Sequence, residues 1–248
     1  MYLSKPDLKQ TELLARAEVV AIRERLPMGP IENRWNIFEG IALFQEETAI
    51  CELLQGQKAK AERTFQESAE ASLLAIECAL KHAPVPAETV LGRSFAREGV
   101  HRALAARAFD LARDIVEQGV GTPLDSEALE GVANYWSVLQ QVVLGAEPAK
   151  HVSYLRTLST DTATGVLIND YYQLLAVTCL DIERRDADSL HTHLDLALRK
   201  YRQLCSSARG SFRRAQCWVC LPVLALVNLA RHFGLSAPPV DFVLVEFR

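Results

Sequence analysis

The chain has 248 residues, of which 49% are hydrophobic and 23% charged, and its formal net charge at pH 7 is −4. This composition excludes a disordered chain, and the length is sufficient to bury a core without disulfides or metals. The mild negative charge argues against a nucleic-acid-binding protein, which usually carries a basic face, and it suits a basic protein partner.

The N-terminal sequence MYLSKPDLKQTELLARAE contains no apolar stretch followed by a cleavage site, so no signal peptide is predicted. Six cysteines are too few for a disulfide scaffold in a chain of this length. Five of them lie among apolar helical residues, where a free cysteine behaves as a small hydrophobe. We therefore expect reduced, structural cysteines in a cytoplasmic protein that neither crosses a membrane nor binds one.

Helical periodicity begins near the N-terminus, where Leu13, Ala17 and Val20 mark a first helix that Pro27 and Gly29 end. Apolar residues then recur at spacings of three and four in two successive segments. A short break at Gly56 separates these segments. Short breaks make consecutive helices antiparallel neighbours, so the two segments are predicted to form a helical hairpin. Its two stripes contain Ile37, Ile41, Phe44, Thr48 and Cys51, and then Ala61, Phe65, Ala69, Leu73, Ile76 and Leu80.

In the middle of the chain, one helix is predicted through Val100, Leu104, Ala108, Leu111 and Ile115, ending at Gly119. The polar run 159–164 is the place where the chain would subdivide into two packed halves. No proline-rich or charged linker demands two domains there, so a single domain over residues 1–248 is predicted.

A second hairpin is predicted around the charged break 183–188. One stripe, of Leu167, Tyr171, Leu174 and Thr178, precedes the break, and the returning stripe is Leu190, Leu194, Ala197, Tyr201 and Leu204. From Trp218 to Ala230 the residues are apolar on every side of a helix, so this last helix must be buried. Gly234 is placed to end it in a left-handed conformation, and Pro238-Pro239 then directs a short extended tail, Val240 to Phe247.

Two stretches carry a resemblance to a known family. They are LALVNLARHFGL, at residues 224–235, followed by a short proline-containing segment and a hydrophobic end, and RWNIFEGIALFQ, at residues 34–45. Together they resemble the all-α immunity protein family forty-nine of bacterial polymorphic toxin systems. The resemblance implies a bacterial intracellular protein that binds and neutralises one cognate toxin.

The residue types that usually mark catalytic or metal sites are present, but not in the required patterns. Cys217-x-x-Cys220 has no second ligand pair for zinc and precedes Pro222 inside an apolar helix, which does not suit a redox site. His191 and His193 are about 200° apart on a helix, so they are predicted to be solvated surface residues rather than joint metal ligands. No cofactor, metal or catalytic residue is predicted, and an enzyme has no positive support in the sequence.

Acidic residues on the two hairpins supply the candidate partner-binding site. Glu46 and Glu47 lie on the first hairpin, and Asp181 and Asp186 flank the turn of the second. Both groups also fit ordinary solvated helix faces, whereas the functional interpretation is an acidic surface that meets a basic toxin. Tyr172 is a candidate anchor, because it is adjacent to Tyr171 in a helix and the two side chains diverge by about 100°.

The sequence therefore predicts an all-α fold of stacked antiparallel helical hairpins, loosely tetratricopeptide-like, with a buried C-terminal helix. The tetratricopeptide cue is Gly56 at a turn followed by Ala61 and Phe65, although no fixed period returns along the chain. The functional prediction is an immunity protein that binds its cognate toxin directly. The alternative is a tetratricopeptide-like interaction module that binds a peptide or a partner helix.

Overall fold

The computed structural model describes residues 5–82, 94–119, 130–146, 164–207 and 217–238. In these ranges it contains nine α-helices and one short 3-10 helix, Ile31–Asn33, which confirms the predicted all-α fold of helical hairpins. The α-helices are α1 (Lys5–Arg25), α2 (Arg34–Leu54), α3 (Lys58–His82), α4 (Ser94–Ala105), α5 (Phe109–Gly119), α6 (Glu130–Leu144), α7 (Thr164–Arg184), α8 (Ala187–Ser207) and α9 (Leu221–His232).

The chain forms two compact units that divide between Pro123 and Leu124. The first unit contains α1 to α5, and the second contains α6 to α9. The predicted subdivision at 159–164 lies outside the described residues except for Thr164, where α7 begins, and a single domain stays a prediction.

In the first unit α1 packs on α2, α2 on α3, and α3 on both α4 and α5. The predicted first hairpin is confirmed as α2 and α3. The helix α3 buries one face, whereas α2 packs on both α1 and α3 and is buried on all sides from Thr48 to Glu52. Gly56 lies in the turn between them with a φ of 78°, a conformation that costs glycine nothing and other residues ~1–2 kcal/mol. The backbone amide of Gln57 donates to the carbonyl of Glu52 at 2.9 Å, which closes the end of α2.

The first helix forms where the sequence predicts it, but the predicted stripe does not face the core. Leu8, Ala15 and Val19 are buried. Leu13 and Val20 are exposed by 59% and 58%. The helix α1 carries apolar residues on two sides, so the sequence alone does not show which side is buried. Packing against α2 determines that the side of Leu8, Ala15 and Val19 faces the core.

The single helix predicted through residues 100–115 is wrong, because the structure divides it into α4 and α5. The break is at Arg107, which adopts a φ of 60°. The amide of Ala108 donates to the carbonyl of Ala103 at 2.9 Å, so the end of α4 is closed like that of α2. No glycine or proline marks this turn, and the apolar periodicity continues across it in the sequence.

In the second unit α7 lies between neighbours, in contact with α6, α8 and α9. The predicted second hairpin is confirmed as α7 and α8, and Leu194 is fully buried, as predicted. The N-terminus of α6 approaches α7 closely at Gly131, whose amide donates to Asn169 Oδ1 at 2.8 Å. A side chain at this glycine would meet the backbone oxygen of Asn169 at 2.4 Å, so no other residue fits without movement.

The last helix, α9, is buried almost all round, as predicted, but it begins at Leu221 rather than Trp218, so Cys217 and Cys220 precede it. Its buried residues include every position from Val223 to Ala230. Pro222 stands in the first turn, where its missing amide is harmless. Gly234 ends the helix with a φ of 79°, again as predicted. The predicted extended tail, Val240 to Phe247, lies outside the described residues.

One backbone closure ends five of the described helices. In each, a left-handed residue follows the helix, and the next amide donates across six residues to a carbonyl in the last turn. The left-handed residues are Gly56, Arg107, Gly145, Arg185 and Gly234. Three of these closures, at Gly56, Arg107 and Arg185, lead directly into the next helix, so the same turn geometry occurs in three helical hairpins.

Candidate functional site

Glu46, predicted to lie on an exposed acidic surface, is buried, with 3% of its surface exposed. Its Oε2 accepts a hydrogen bond from Arg102 Nε at 2.7 Å, and Arg102 is completely buried on α4. The prediction that Glu46 contacts a partner required this side chain to be exposed, and that requirement is not met. The physical reason is that a buried arginine requires a buried carboxylate partner, and α2 supplies it.

Three further polar groups surround the Arg102 guanidinium. Nη1 donates to Ser72 Oγ at 2.6 Å and lies 3.5 Å from a carboxylate oxygen of Glu39. Nη2 lies 3.5 Å from Glu98. The pKa of Glu39 is raised to about 7, mainly by burial and also by Glu98 and Glu46, although Arg102 opposes the shift. This cluster joins α2, α3 and α4 and is buried in the first unit, so its role is to hold the helices together.

Glu47 is the one residue of the predicted first acidic pair that reaches the surface, where it is half-buried. It follows Glu46 on α2 and therefore points about 100° away from the Arg102 cluster. The prediction that Glu47 contacts a partner stays a prediction.

Asp181 is also buried, contrary to the predicted exposed acidic turn. Its Oδ2 lies 2.6 Å from Nδ1 of His193, which is half-buried on α8. Burial raises the pKa of Asp181, and the hydrogen bond from His193 opposes that shift. The pair joins the two helices of the second hairpin. The prediction that both histidines are solvated therefore holds only for the exposed His191.

Asp186 is exposed, as its predicted role requires, but it has a structural task of its own. Its carboxylate accepts hydrogen bonds from the backbone amide and the hydroxyl of Ser189, at 3.0 and 2.6 Å. This is the N-cap geometry of α8, in which a side-chain oxygen satisfies an amide of the first turn. The hydrogen bonds from Ser189 lower the pKa of Asp186.

Tyr172 is half-buried in a cluster of tyrosine rings. Its ring centroid lies 5.7 Å from that of Tyr135 on α6 and 5.2 Å from that of Tyr171. Tyr201 of α8 extends the cluster beyond Tyr171, at 5.4 Å. The ring therefore contributes to packing between helices, and its predicted role as an anchor for a partner stays a prediction.

A second ionic cluster joins α1, α2 and α3 and was not anticipated from the sequence. Glu52 of α2 is completely buried and accepts a hydrogen bond from Thr64 at 2.7 Å, and Lys60 Nζ lies 3.0 Å from it. Arg16 of α1 contacts the same carboxylate. Glu12 accepts hydrogen bonds from Arg16, Lys60 and Gln55, which completes the cluster.

All six cysteines are free thiols. Burial raises the pKa of the Cys51 thiol to about 12, and that of Cys220 likewise, which makes them unreactive at neutral pH. Among the described residues there is no group of three side chains able to hold a metal ion. In the same part of the chain, no helix has the length and hydropathy needed to cross a membrane.

Among the described residues of the first unit, two groups of exposed apolar side chains stand out. The first is the outer face of α1, where Leu13, Leu14 and Val20 are each more than half exposed; we call it the α1 stripe. The second is a groove of about 320 Å³ formed by α1, α2 and α3, which we call the α2 groove. It is lined by Arg23, Leu26, Phe38, Ile41, Gln45, Glu67, Glu70, Ala71 and Leu74.

Sequence reasoning missed both surfaces because it assigned apolar residues to the core. A signal was available for α1, since Leu8, Ala15 and Val19 form a second stripe at helical spacing beside Leu13 and Val20. A helix with two apolar faces must leave one of them for something other than its own core. The groove had no comparable signal, because it depends on how three helices meet.

The segment 34–45, which carries part of the family resemblance, contributes Phe38, Ile41 and Gln45 to the α2 groove. The resemblance itself stays a prediction. Comparisons with protein-family models, with curated proteins and with solved structures find no match to this chain.

Proposed function

We propose that this chain is an immunity protein that binds a cognate bacterial toxin domain and neutralises it by direct contact. The observation that carries the proposal is the α1 stripe, in which Leu13, Leu14 and Val20 are exposed by 59%, 62% and 58%. Leu13 and Val20 lie two turns apart on the same side of α1, and exposed apolar residues that share a helix face are typical of a protein-binding site. The resemblance of two segments to an immunity family supplies the identity of the partner and a bacterial cytoplasmic location.

A preformed surface suits this function because little ordering is then needed when the partner binds. The α1 stripe lies on a helix that the Glu52 cluster fastens to α2 and α3 through Arg16 and Lys60. The partner would be blocked by occlusion of its own surface. This mechanism requires no reaction, cofactor or metal.

The proposal is tested by co-expressing the chain with the toxin encoded beside it and measuring cell growth. Wild type should restore growth, and Leu13→Glu/Val20→Glu should not, because two carboxylates would be placed in an apolar interface. Both side chains are already largely exposed, so the variant should remain folded. Met28→Glu/Leu80→Glu adds the same charge at exposed apolar residues outside the stripe and should protect like wild type. Failure of the wild-type chain to protect would contradict the proposal.

A second candidate function is a tetratricopeptide-like module that binds a partner helix. The repeated helix closure favours it, because one turn geometry at Gly56, Arg107 and Arg185 builds hairpins as repeat proteins do. The two candidates differ in the partner. Recovery of a chaperone, secretion or regulatory protein, rather than a toxin, from cells that express this chain would favour the module.

A further inference from the structure

The α2 groove opens directly onto the hydrophobic core between α1 and α2. Phe38 and Ile41 form its floor, and Ile41 belongs to the same core cluster as Val19 and Ala42. Leu26 of α1 closes one side. The opposite side is formed by α3, through Ala71 and Leu74. Leu74 is 46% exposed at the edge of the groove, one turn from Glu70.

Four polar side chains line the groove: Glu67 and Glu70 carry acceptors, Gln45 carries both an acceptor and a donor, and Arg23 carries donors. Gln45 is buried, with 4% of its surface exposed, and its Nε2 donates to Glu67 Oε2 at 2.9 Å. A carboxylate accepts hydrogen bonds, so this contact fixes the amide orientation. The Oε1 atom of Gln45 then has no hydrogen-bond partner among the described residues. Glu70 is exposed one turn from Glu67, on the same side of the groove.

The size of the groove indicates which kind of molecule fits. A volume of about 320 Å³ is at the lower end of the ~300–1,000 Å³ range of small-molecule pockets. The groove follows the helices, since its lining residues span about two turns of α2 and about two turns of α3. Such a shape accommodates one or two large apolar side chains presented by a partner helix.

We infer that the α2 groove binds an amphipathic helix of the partner, which inserts apolar side chains over Phe38 and Ile41 and places a lysine or arginine beside Glu67 and Glu70. The inference rests on the proposed function, because the helix belongs to the toxin domain in that account. The basic side chain complements the two carboxylates. Arg23, on the α1 side, remains available to an acidic residue of the same helix.

The groove can be tested without the toxin by fluorescence anisotropy with two labelled model peptides. Each peptide is an amphipathic helix with leucines at positions i, i+3, i+4 and i+7; one carries lysines on its polar face and the other glutamates. The full-length chain should bind the lysine peptide in preference to the glutamate peptide. Absence of binding, or equal binding of both peptides, would overturn the inference.

Two leucines of α3 provide a matched pair of variants. Leu74, in the groove, and Leu80, outside it, are exposed by 46% and 47%. Leu74→Glu should weaken binding of the lysine peptide at least ~10-fold, as truncation of an interface anchor does, whereas Leu80→Glu should leave it unchanged. Equal weakening by both variants would place the peptide elsewhere and overturn the inference.

Charge reversal tests the acidic side of the groove separately. Glu67→Lys/Glu70→Lys should transfer the preference to the glutamate peptide. Asp114→Lys/Glu117→Lys has the same spacing on the exposed face of α5 and should keep the preference for lysine. Self-association of wild type that Leu74→Glu abolishes would identify a second copy of this chain as the occupant and overturn the inference.

The peptide experiment tests the groove and the growth experiment tests the immunity function, so either claim can be contradicted without the other. Selective peptide binding without protection of toxin-expressing cells would uphold the groove and contradict the immunity function. Protection by both the wild-type and the Leu74→Glu chains, with no peptide binding, would uphold the immunity function and overturn the groove.

Discussion

Arg102 of α4 donates from Nε to Glu46 of α2 at 2.7 Å, and both side chains are buried. The contact joins helices that are separated by α3 in the chain. Because a buried charge that loses a partner is costly, we expect the pair to contribute to the stability of the first unit.

Replacement of Glu46 should therefore strongly destabilise the first unit. Glu46→Lys places a second cation beside Arg102, and loss of one partner of a buried pair costs ~3–5 kcal/mol. Glu47→Lys, at the adjacent half-buried position, is the control and should change the free energy of unfolding far less. Urea denaturation of both variants checks this, and equal midpoints would contradict the buried pair.

Stability should decrease between about pH 4.5 and pH 7 through Glu39. Burial raises its folded-state pKa from 4.5 to about 7, so the folded protein retains a proton that the unfolded chain has lost. The stability that this carboxyl contributes when protonated is present below pH 4.5 and is lost as the pH rises to about 7, by roughly 3 kcal/mol in total.

Glu39→Gln removes this titration and is the variant that isolates it. Unfolding free energies measured in urea at pH 5 and pH 7.5 should differ less for the variant than for wild type. Parallel pH profiles for the two proteins would show that Glu39 titrates normally.

How far the sequence predicts this fold depends on whether a turn has a local signal. Gly56 and Gly234 marked their helix ends correctly, because glycine adopts positive φ without strain. Arg107 and Arg185 adopt the same conformation. The turn at Arg185 was nevertheless predicted, because charged residues around it interrupt the apolar periodicity. The residues beside Arg107 are alanines, which do not interrupt that periodicity, so this turn was missed.

The candidate site was less predictable than the fold because charge alone does not determine exposure. Glu46 and Glu47 are equivalent in the sequence, yet one meets Arg102 in the interior and the other is half-buried at the surface. The partner of Glu46 lies 56 residues away and was not identified from the sequence. The α1 stripe shows the converse case. Leu13 and Val20 are apolar and were predicted to be buried, but the way α1 packs on α2 leaves them exposed.

Asp186 should stabilise the second hairpin as the N-cap of α8. Asp186→Ala removes the acceptor for the Ser189 amide and should lower the melting temperature, whereas Asp186→Asn and Asp186→Ser retain a capping oxygen and should restore most of it. The folded-state pKa of Asp186 is lowered, so its contribution is present above its unfolded value and is lost as the pH falls through the folded value. An alanine variant that melts like wild type would contradict the cap.

Leu194 should be essential to the second unit. It is fully buried on α8, and Leu194→Asp would bury a carboxylate without a partner at a cost of several kcal/mol. Thr192→Asp, at an exposed position of the same helix, is the control. Soluble yield and thermal melting should collapse only for the Leu194 variant. Similar curves for the two variants would mean that α8 does not face the core as described.

The central claim is that the chain binds a toxin through the α1 stripe, and its most direct test is the dissociation constant of the complex. The measurement is calorimetric titration of this chain with the inactivated toxin domain encoded beside it. The account predicts binding by wild type, a Kd at least ~10-fold higher for Leu13→Glu/Val20→Glu, and an unchanged Kd for Met28→Glu/Leu80→Glu. Absence of wild-type binding, or equal Kd values for the two variants, would contradict it.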